Sequence, residues 1–346
     1  MRWLVVDEDS AGQRLDNYLL RQLKGVPKTW VYRVIRAGEV RVDKGRRSAD
    51  SRVAVGETVR VPPVRQGTEP ARPAAPPRQF SIVHDDGGLL VLDKPAGVAV
   101  HGGSGVSFGV IEQLRSARDA VAGHGMLELV HRLDRDTSGL LMVARKRSVL
   151  TALQDQLRER STRKSYLALV LGHWPRQRRG VDTPLVKFHT PGGERRVRPG
   201  TAAELESGLA QRALSLVEVL GHSQPLGPGA PVFSLLHVSI KTGRTHQIRV
   251  HLASQGHPIV GDDKYGDFPL NKRLAAPPLR FDRMFLHAWR LGLIHPLSGE
   301  SLSLQAPLPP ECLGLLAALG LPLPAHESQD GREGDIPDDD SGESPP

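Results

Sequence analysis

Cysteine is almost absent from this chain of 346 residues, in which Cys312 is the only one. A single thiol excludes a disulfide within the chain and a zinc site built from several cysteines. Long apolar runs are lacking as well, since no stretch approaches the roughly 20 residues that cross a bilayer. Met1–Trp3 lead into acidic residues rather than into the apolar segment of a signal peptide. These absences predict a cytoplasmic protein without a membrane partner.

Charge is abundant and unevenly placed. The chain holds 46 Lys and Arg against 38 Asp and Glu, a net charge of +8. Eight of the acids lie in residues 325–346 beside one arginine, so this tail carries −7 and the rest of the chain about +15. A positive excess favours a polyphosphate partner such as RNA, because each phosphate contact releases counterions. A basic surface that only keeps the protein soluble is the alternative.

The composition divides the chain into four parts. Residues 1–65 are expected to form a compact basic module with a net charge of +6. Residues 66–79 belong to a Pro-rich linker, residues 80–324 to a larger domain, and residues 325–346 to a disordered acidic tail. In the first part, apolar residues recur at helical or strand spacing in four segments: Leu15–Leu23, Trp30–Ile35, Val40–Val42 and Thr58–Val61.

Basic side chains gather at the second of these segments. Five arginines lie on or just after the predicted helix: Arg33, Arg36, Arg41, Arg46 and Arg47. We predict that they contact an RNA backbone, with an ordinary solvated helix face as the alternative.

The larger domain shows more candidate strands than helices. Apolar segments of strand length occur at 80–83, 89–92, 127–130, 140–143, 166–171 and 233–240. Helical patterns are fewer, at 149–158 and 245–255. Runs of strands with few crossover helices favour an α+β fold over a doubly wound parallel sheet.

The most informative segment is Val130–Lys146, VHRLDRDTSGLLMVARK. Apolar residues on either side of a Gly-containing turn predict two strands with Asp134 at the corner between them. The flanking Arg132 and Arg135 favour the ionised carboxylate, which makes it a usable nucleophile or base. The alternative is that Asp134 only stabilises the turn, a common use of aspartate that Asp136 could share.

This segment resembles the signature of the RluA family of pseudouridine synthases, in which the aspartate of HRLD is catalytic. Further motifs of the family follow in the same order: Asp93–Gly97, His101–Gly103, Lys164–Val170, Thr242–His251, Gly256–Gly266 and Leu286–Ala288. The basic module resembles the S4 RNA-binding domain that often precedes this catalytic domain. The resemblance implies an α+β fold with a mixed, largely antiparallel central sheet, preceded by an S4-like α/β module.

The resemblance also implies roles for four residues. Asp134 is the essential residue and acts on the ribose as a nucleophile or as a base. The target base must be flipped out of its helix, and Arg132 is expected to stand in for the flipped nucleotide. Tyr166 is expected to stack under uracil and relay a proton, and Arg244 to pair with Asp134. Without the resemblance, the two arginines could be phosphate contacts and the tyrosine a core residue.

Other polar residues of the motifs receive no chemical role. Arg249 and His251 are expected to contact RNA phosphates or to support the structure, and His131 is interpreted as structural. One loop contains three acids, Asp262, Asp263 and Asp267. They lack the spacing of a calcium-binding EF-hand and are interpreted as loop-stabilising, so no metal site is predicted.

The implied reaction breaks the N1–C1′ bond of uridine, turns the uracil and forms a C5–C1′ bond. It needs no added group and no redox change, so no cofactor is expected. Segments 21–28, 38–42 and 101–112 are similar to family members that modify several uridines of large-subunit (23S) ribosomal RNA. This similarity predicts that the partner is large-subunit ribosomal RNA or its assembly precursors. The alternatives are transfer RNA or another RNA as substrate, and an RNA-binding ribosome assembly factor without activity.

Three segments depart from the family pattern. Residues 174–208 and 221–231 are expected to be surface insertions near the RNA. In the N-terminal module, Asp43-Lys44-Gly45 replaces the usual Asn-Gly-Lys, which leaves the conformation of this turn open.

Overall fold

The computed structural model describes residues 1–8, 10–23, 25–64, 75–103, 106–121, 125–225, 227 and 230–323. The predicted linker at 66–79 lies largely outside these residues, and the predicted acidic tail at 325–346 lies wholly outside them. The described part forms an N-terminal module and a larger unit, each with hydrophobic clusters of its own.

The N-terminal module combines two helices with a three-stranded antiparallel sheet of order β1-β3-β2. Its elements are β1 (Arg2–Val5), α1 (Leu15–Gln22), α2 (Lys28–Arg36), β2 (Arg41–Val42) and β3 (Thr58–Val61). The apolar faces that predicted the helices are buried together, with Tyr18 and Leu19 of α1 in one core with Val31 and Val34 of α2. These helices and strands are confirmed, whereas β1, whose side chains are mostly exposed, carries no pattern that predicts it.

The turn after β2 has both central residues in the left-handed region. Asp43 and Lys44 have φ values of 47° and 68°, a pair that defines the type I′ geometry and favours Asn and Gly. Val42 and Gly45 exchange backbone hydrogen bonds of 3.0 and 2.8 Å across the turn. The tight turn therefore forms without the usual residues. The left-handed backbone conformation of Lys44 is energetically unfavourable for a residue that has a Cβ.

The larger unit is built on one mixed sheet. Its strands, in chain order, are β4 (Ser81–Asp85), β5 (Leu89–Lys94), β6 (Glu128–Leu129), β7 (Ser138–Ala144), β8 (Arg163–Leu171), β9 (Gly180–Asp182), β12 (Leu214–His222), β13 (Phe233–Ile240), β14 (Leu286–Ile294) and β15 (Ser301–Gln305). The order is β4-β5-β7-β14-β8-β13-β12-β9, with β15 paired to β14 and β6 to β7. Among the described strands only β7 and β14 pair in parallel, so the predicted mixed, largely antiparallel sheet is confirmed.

Six helices and one separate hairpin complete the described part of this unit. They are α3 (Val110–Ala120), α4 (Arg147–Glu159), α5 (Ala202–Glu206), α6 (Gln247–Ser254), α7 (Phe268–Ala275), α8 (Pro310–Ala318), and the hairpin of β10 (Leu185–His189) and β11 (Arg195–Pro199). The predicted helices at 149–158 and 245–255 correspond to α4 and α6.

The two faces of the sheet bury different side chains, because neighbouring residues of a strand point to opposite sides. Leu92 of β5, Leu141 of β7 and Tyr166 of β8 belong to one core, on what we call the Tyr166 face. The residues that alternate with them pack on the opposite face, partly against α4. By the same alternation Asp93 and Ser138 belong to the opposite face, where they line a cavity of about 330 Å³.

The segment 174–208, predicted as a surface insertion, contains regular structure. Its strand β9 extends the main sheet beside β12. Leu185 and Val197 of the β10–β11 hairpin are buried with Val250 of α6. The sequence does not predict these strands, because Arg and Gly dominate the segment and its apolar partners come from elsewhere in the chain.

Candidate active site

Asp134 lies in the turn between β6 and β7, as the sequence predicts. The two strands pair in antiparallel fashion at the base of the turn. The N–H of Thr137 donates to the carbonyl of Asp134 over 3.2 Å. The Asp134 side chain is 18% exposed, so a substrate can reach a carboxylate whose backbone is held in place.

A buried lysine fixes this turn to the neighbouring strand. Lys94 is the last residue of β5 and is fully buried. Its Nζ donates to the carbonyls of Pro95, Val98 and Arg135 at 2.8, 2.8 and 2.9 Å. Three acceptors match the three protons of an ammonium group, although burial lowers the pKa of Lys94 to about 7. Because Arg135 follows Asp134 directly, this contact positions the turn.

The cation beside Asp134 comes from α6. Arg249 Nη1 donates to Asp134 Oδ2 over 3.2 Å. Through Nε and Nη2 the same guanidinium donates to both carboxylate oxygens of Asp262, over 2.7 and 2.8 Å, and Nη2 also reaches Asp263 over 3.1 Å. Two parallel hydrogen bonds fix the plane of a guanidinium. Asp262 therefore orients Arg249 so that its remaining edge faces Asp134.

The Arg249–Asp262 pair is buried and charged. Burial opposes ionisation of Asp262, but hydrogen bonds from Arg249, Lys264 N–H and Tyr265 N–H outweigh it and lower the pKa of the carboxyl. Burial also opposes the charge on Arg249, yet Asp262 and Asp134 raise the pKa of the guanidinium. The site thus contains a permanent cation with a fixed orientation.

The prediction that Arg244 pairs with Asp134 is wrong. Arg244 is exposed, and its Nε donates to the carbonyl of Arg212 over 3.3 Å. Within the described part of the chain, the guanidinium that contacts Asp134 belongs to Arg249. Arg244 precedes α6 and is exposed, whereas Arg249 lies on α6 and is buried beside Asp262. Because Arg249 is 2% exposed, the suggested phosphate contact is also wrong for this residue.

Two of the three acids predicted to stabilise a loop, Asp262 and Asp267, do so. Asp262 Oδ1 accepts from the N–H groups of Lys264 and Tyr265 over 2.8 and 3.0 Å. Asp267 precedes α7 and accepts from the N–H of Leu270 over 2.8 Å, which caps the helix. Binding Arg249 is a further role of Asp262 that the sequence did not reveal.

Two histidines of the motifs are structural, which was expected for His131 and was one of the two alternatives for His251. His131 Nε2 accepts from the N–H of Met142 over 3.2 Å, and burial lowers the pKa of its ring to about 4, which keeps it neutral. His251 is fully buried and contacts Ser215 Oγ and the carbonyl of Thr183 at 3.0 and 2.9 Å. Both rings connect elements of the core.

Tyr166 and Arg132 differ in exposure. Tyr166 is buried on β8, and burial, assisted by the charge of Asp134, raises the pKa of its hydroxyl above the usual range. The hydroxyl is therefore protonated at neutral pH. Arg132 is exposed two residues before Asp134, and no ion pair with a described residue engages it.

The five arginines of the N-terminal module lie at the surface. Arg41 is half-buried and the other four are exposed. Arg46 Nη2 reaches the carbonyl of Ala37 after α2 over 3.4 Å, and Arg47 pairs with Glu57 over 3.2 Å. Arg46 is thus brought to the end of α2, the helix that carries Arg33 and Arg36.

Comparisons with known proteins agree with this architecture. Residues 88–254 match the RNA pseudouridylate synthase family, and residues 13–59 match the S4 domain. The chain is 46% identical over 325 residues to the ribosomal large subunit pseudouridine synthase C of Pasteurella multocida (strain Pm70), covering 92% of this chain and 94% of the relative. It is 44% identical over 311 residues to the protein of that name from Escherichia coli (strain K12), covering 88% and 92%.

The chain belongs to the RNA pseudouridylate synthase family and is an RNA-modifying isomerase. A solved structure with the same fold is human RNA pseudouridylate synthase domain containing 4, at 28% identity and a TM-score of 0.54, covering 71% of this chain and 95% of that one. In the described residues, no helix has the length and apolarity needed to cross a membrane.

Proposed function

We propose that this protein converts specific uridines of large-subunit ribosomal RNA into pseudouridine. Two relatives at 46% and 44% identity are named for that subunit, and an S4 domain precedes the catalytic unit. The observation that carries the proposal is the accessible Asp134 carboxylate, held 3.2 Å from the buried guanidinium of Arg249. A cytoplasmic location is part of the same proposal.

The proposed chemistry uses Asp134 on the ribose, as a nucleophile or as a base. The N1–C1′ bond breaks, a C5–C1′ bond forms between the same two rings, C5 loses a proton and N1 gains one. Such a reaction needs a carboxylate at a defined position, since small misplacements of a reacting group are costly. Arg249, oriented by Asp262, and the turn held by Lys94 supply that position.

Tyr166 and Arg132 complete the proposed site. The ring of Tyr166 stacks under uracil, and its protonated hydroxyl relays the proton that leaves C5. Unstacking the target base costs a few kcal/mol. The exposed Arg132 is proposed to take the place of the flipped nucleotide, and the exposed Arg244 to contact an RNA phosphate.

The N-terminal module is proposed to bind the RNA backbone through Arg33, Arg36, Arg41, Arg46 and Arg47. We also propose residues 1–65 as this RNA-binding domain, 66–79 as its linker and 80–324 as the catalytic domain. Exposed guanidinium groups suit this task, because phosphate contacts depend on charge more than on exact geometry.

The test is a map of pseudouridine across cellular RNA, with and without the gene. Wild type and Asp134→Asn are then returned to the deletion strain. We expect pseudouridines of large-subunit ribosomal RNA to disappear in the deletion and to return only with wild type. Purified Asp134→Asn is expected to bind the same RNA, since the substitution preserves the shape of the side chain.

Other outcomes separate the alternatives. Loss of pseudouridine only from transfer RNA would preserve the activity and replace the substrate. No lost site in any RNA would favour an assembly factor without activity. Turnover by Asp134→Asn at the wild-type rate would remove Asp134 from its proposed role.

A further inference from the structure

We propose that His84, Asp86 and His295 form a binding site for one divalent transition-metal ion such as Zn²⁺. The ligand atoms of the three side chains lie within 4.8 Å of one another. The site is distinct from the active site, because β5 begins near this cluster at Leu89 and ends beside the Asp134 turn at Lys94. These two ends are about 17 Å apart along the strand.

Two imidazole rings converge on one carboxylate oxygen. His84 Nε2 lies 3.0 Å and His295 Nε2 lies 2.5 Å from Asp86 Oδ2. Imidazole nitrogen and carboxylate oxygen are ligands that Zn²⁺ binds at about 2.0–2.2 Å. Tetrahedral ligands at that distance are roughly 3.3 Å apart. The three ligand atoms are therefore close enough to one another to coordinate a single ion.

Contacts behind the ligands hold them in place. Asp86 Oδ1 accepts from the N–H groups of Gly88 and Leu89 over 2.8 and 2.7 Å, which leaves Oδ2 for the ion. His295 Nδ1 lies 3.2 Å from Ser298 Oγ and accepts from the N–H of Ser298 over 3.2 Å, and these contacts hold the imidazole ring in place. Burial opposes ionisation of Asp86, yet hydrogen bonds from Leu89 N–H and the two histidines lower the pKa of its carboxyl below the usual range.

The cluster is open on one side. The side chains of His84, Asp86 and His295 are 25%, 26% and 13% exposed, so water can complete the coordination. The neighbouring Asp85 is engaged by Arg145 over 2.7 Å. His84 at the end of β4, Asp86 in the β4–β5 turn and His295 in the β14–β15 turn would join two regions that are far apart in sequence. The ion would stabilise the fold from outside the active site.

The test uses the full-length protein after treatment with a chelator. Zn²⁺ is titrated by calorimetry, the thermal midpoint is measured with and without Zn²⁺, and Co²⁺ serves as a spectroscopic probe. The variants are His84→Ala, His295→Ala and Asp86→Asn, which keeps an acceptor for the two N–H groups. His189→Ala, which removes an exposed histidine on β10, is the matched control.

We expect one Zn²⁺ per chain and a rise in thermal midpoint for the wild type and for His189→Ala. Each ligand variant should bind roughly tenfold more weakly or worse and lose the rise. The Co²⁺ absorption should change in the same variants. Equal Zn²⁺ binding by wild type and ligand variants, or no binding by wild type, would overturn the proposal. Pseudouridine formation is measured in parallel and should be unaffected by the chelator.

Discussion

Two carboxyl groups of the catalytic unit, the buried Asp262 and the half-buried Asp93, have pKa values that move in opposite directions. Asp262 is fully buried, and Arg249 with two N–H groups keeps it ionised. Asp93 lines the cavity on the opposite face, where no described group donates a hydrogen bond to its side chain. Burial raises the pKa of Asp93 to about 6, despite the nearby charges of Arg283 and Lys94. Hydrogen-bond donors in direct contact, more than charges at a distance, decide in which direction the pKa of a buried or half-buried carboxyl moves.

The largest effect should follow from removing the cation that holds Asp262. Arg249→Ala leaves a buried carboxylate without its partner, so the free energy of unfolding should fall by about 3–5 kcal/mol. Arg244→Ala is the matched control, because its guanidinium is exposed, and should change stability by no more than about 0.5 kcal/mol. Urea unfolding measures both. Equal stability of the two variants would contradict the role of the buried ion cluster.

Arg249→Lys separates the chemistry from the folding. Lysine preserves the charge but cannot form the two parallel hydrogen bonds to Asp262. The turnover rate should therefore fall even in variant protein that remains folded. The measurement is pseudouridine formation on a ribosomal RNA transcript, in conditions where urea unfolding shows the variant to be folded.

A smaller loss of stability is expected from Asp262→Asn. The amide keeps one acceptor but loses the charge-assisted pair, which should cost about 1.5–3 kcal/mol. Because Arg249 is then no longer oriented toward Asp134, turnover should fall by about 100-fold. Asp263→Asn is the control, since that carboxylate is 51% exposed and contacts Arg249 through one bond. A similar loss in both variants would mean that orientation by Asp262 is unimportant.

Asp93 should show the opposite behaviour through its dependence on pH. Its pKa is about 6 in the folded protein and 3.8 ordinarily, so the native state binds more protons between these values. Stability contributed by the protonated form is therefore lost as pH rises through this range. At pH 8, Asp93→Asn should be more stable than wild type by about 1 kcal/mol, allowing for partial exposure. Near pH 4 the gain should vanish, and an equal gain at both pH values would contradict the assignment.

The smallest effect on stability is expected for exposed arginines, which have no buried partner to lose. Arg33→Ala and Arg36→Ala should change the free energy of unfolding by no more than about 0.5 kcal/mol. Each should weaken RNA binding. The slope of the logarithm of the binding constant against the logarithm of salt concentration should fall in magnitude by about 1 for a lost phosphate contact. Arg52→Ala, in the same module but outside α2, is the control. RNA binding is measured across a series of salt concentrations. If all three variants bind as the wild type does, the proposed interface is contradicted.

Local patterns predicted much of the fold. The helical faces of α1 and α2, the strands β3 and β13, and the strand corner at Asp134 follow from apolar spacing within short segments. The β10–β11 hairpin could not be predicted in this way. Its buried residues, such as Val197, depend on apolar partners such as Val250 that lie outside the segment.

The site shows the same limit. The predicted helix at 245–255 begins two residues later in the structure, after His246 in the left-handed region with φ 52°. Both bounds leave Arg244 before the helix and Arg249 within it, so the position of the helix did not reveal which of the two arginines contacts Asp134. The sequence did indicate that Arg249 is buried, because the apolar residues Ile248, Val250 and Leu252 lie around it. A buried arginine needs an acid as its partner.

The sequence by itself determined the Asp134 turn and the helices of the N-terminal module, because these depend on spacing within short segments. It also determined the family, through the order of several short motifs along the chain. Only the tertiary structure decided that Arg249 meets Asp134 across 115 positions, and that His295 meets Asp86 across 209. Periodicity shows which side of an element is apolar. The polar groups that meet across strands depend on how all the elements pack, and this is why the cation of the active site and the histidine cluster emerged only from the fold.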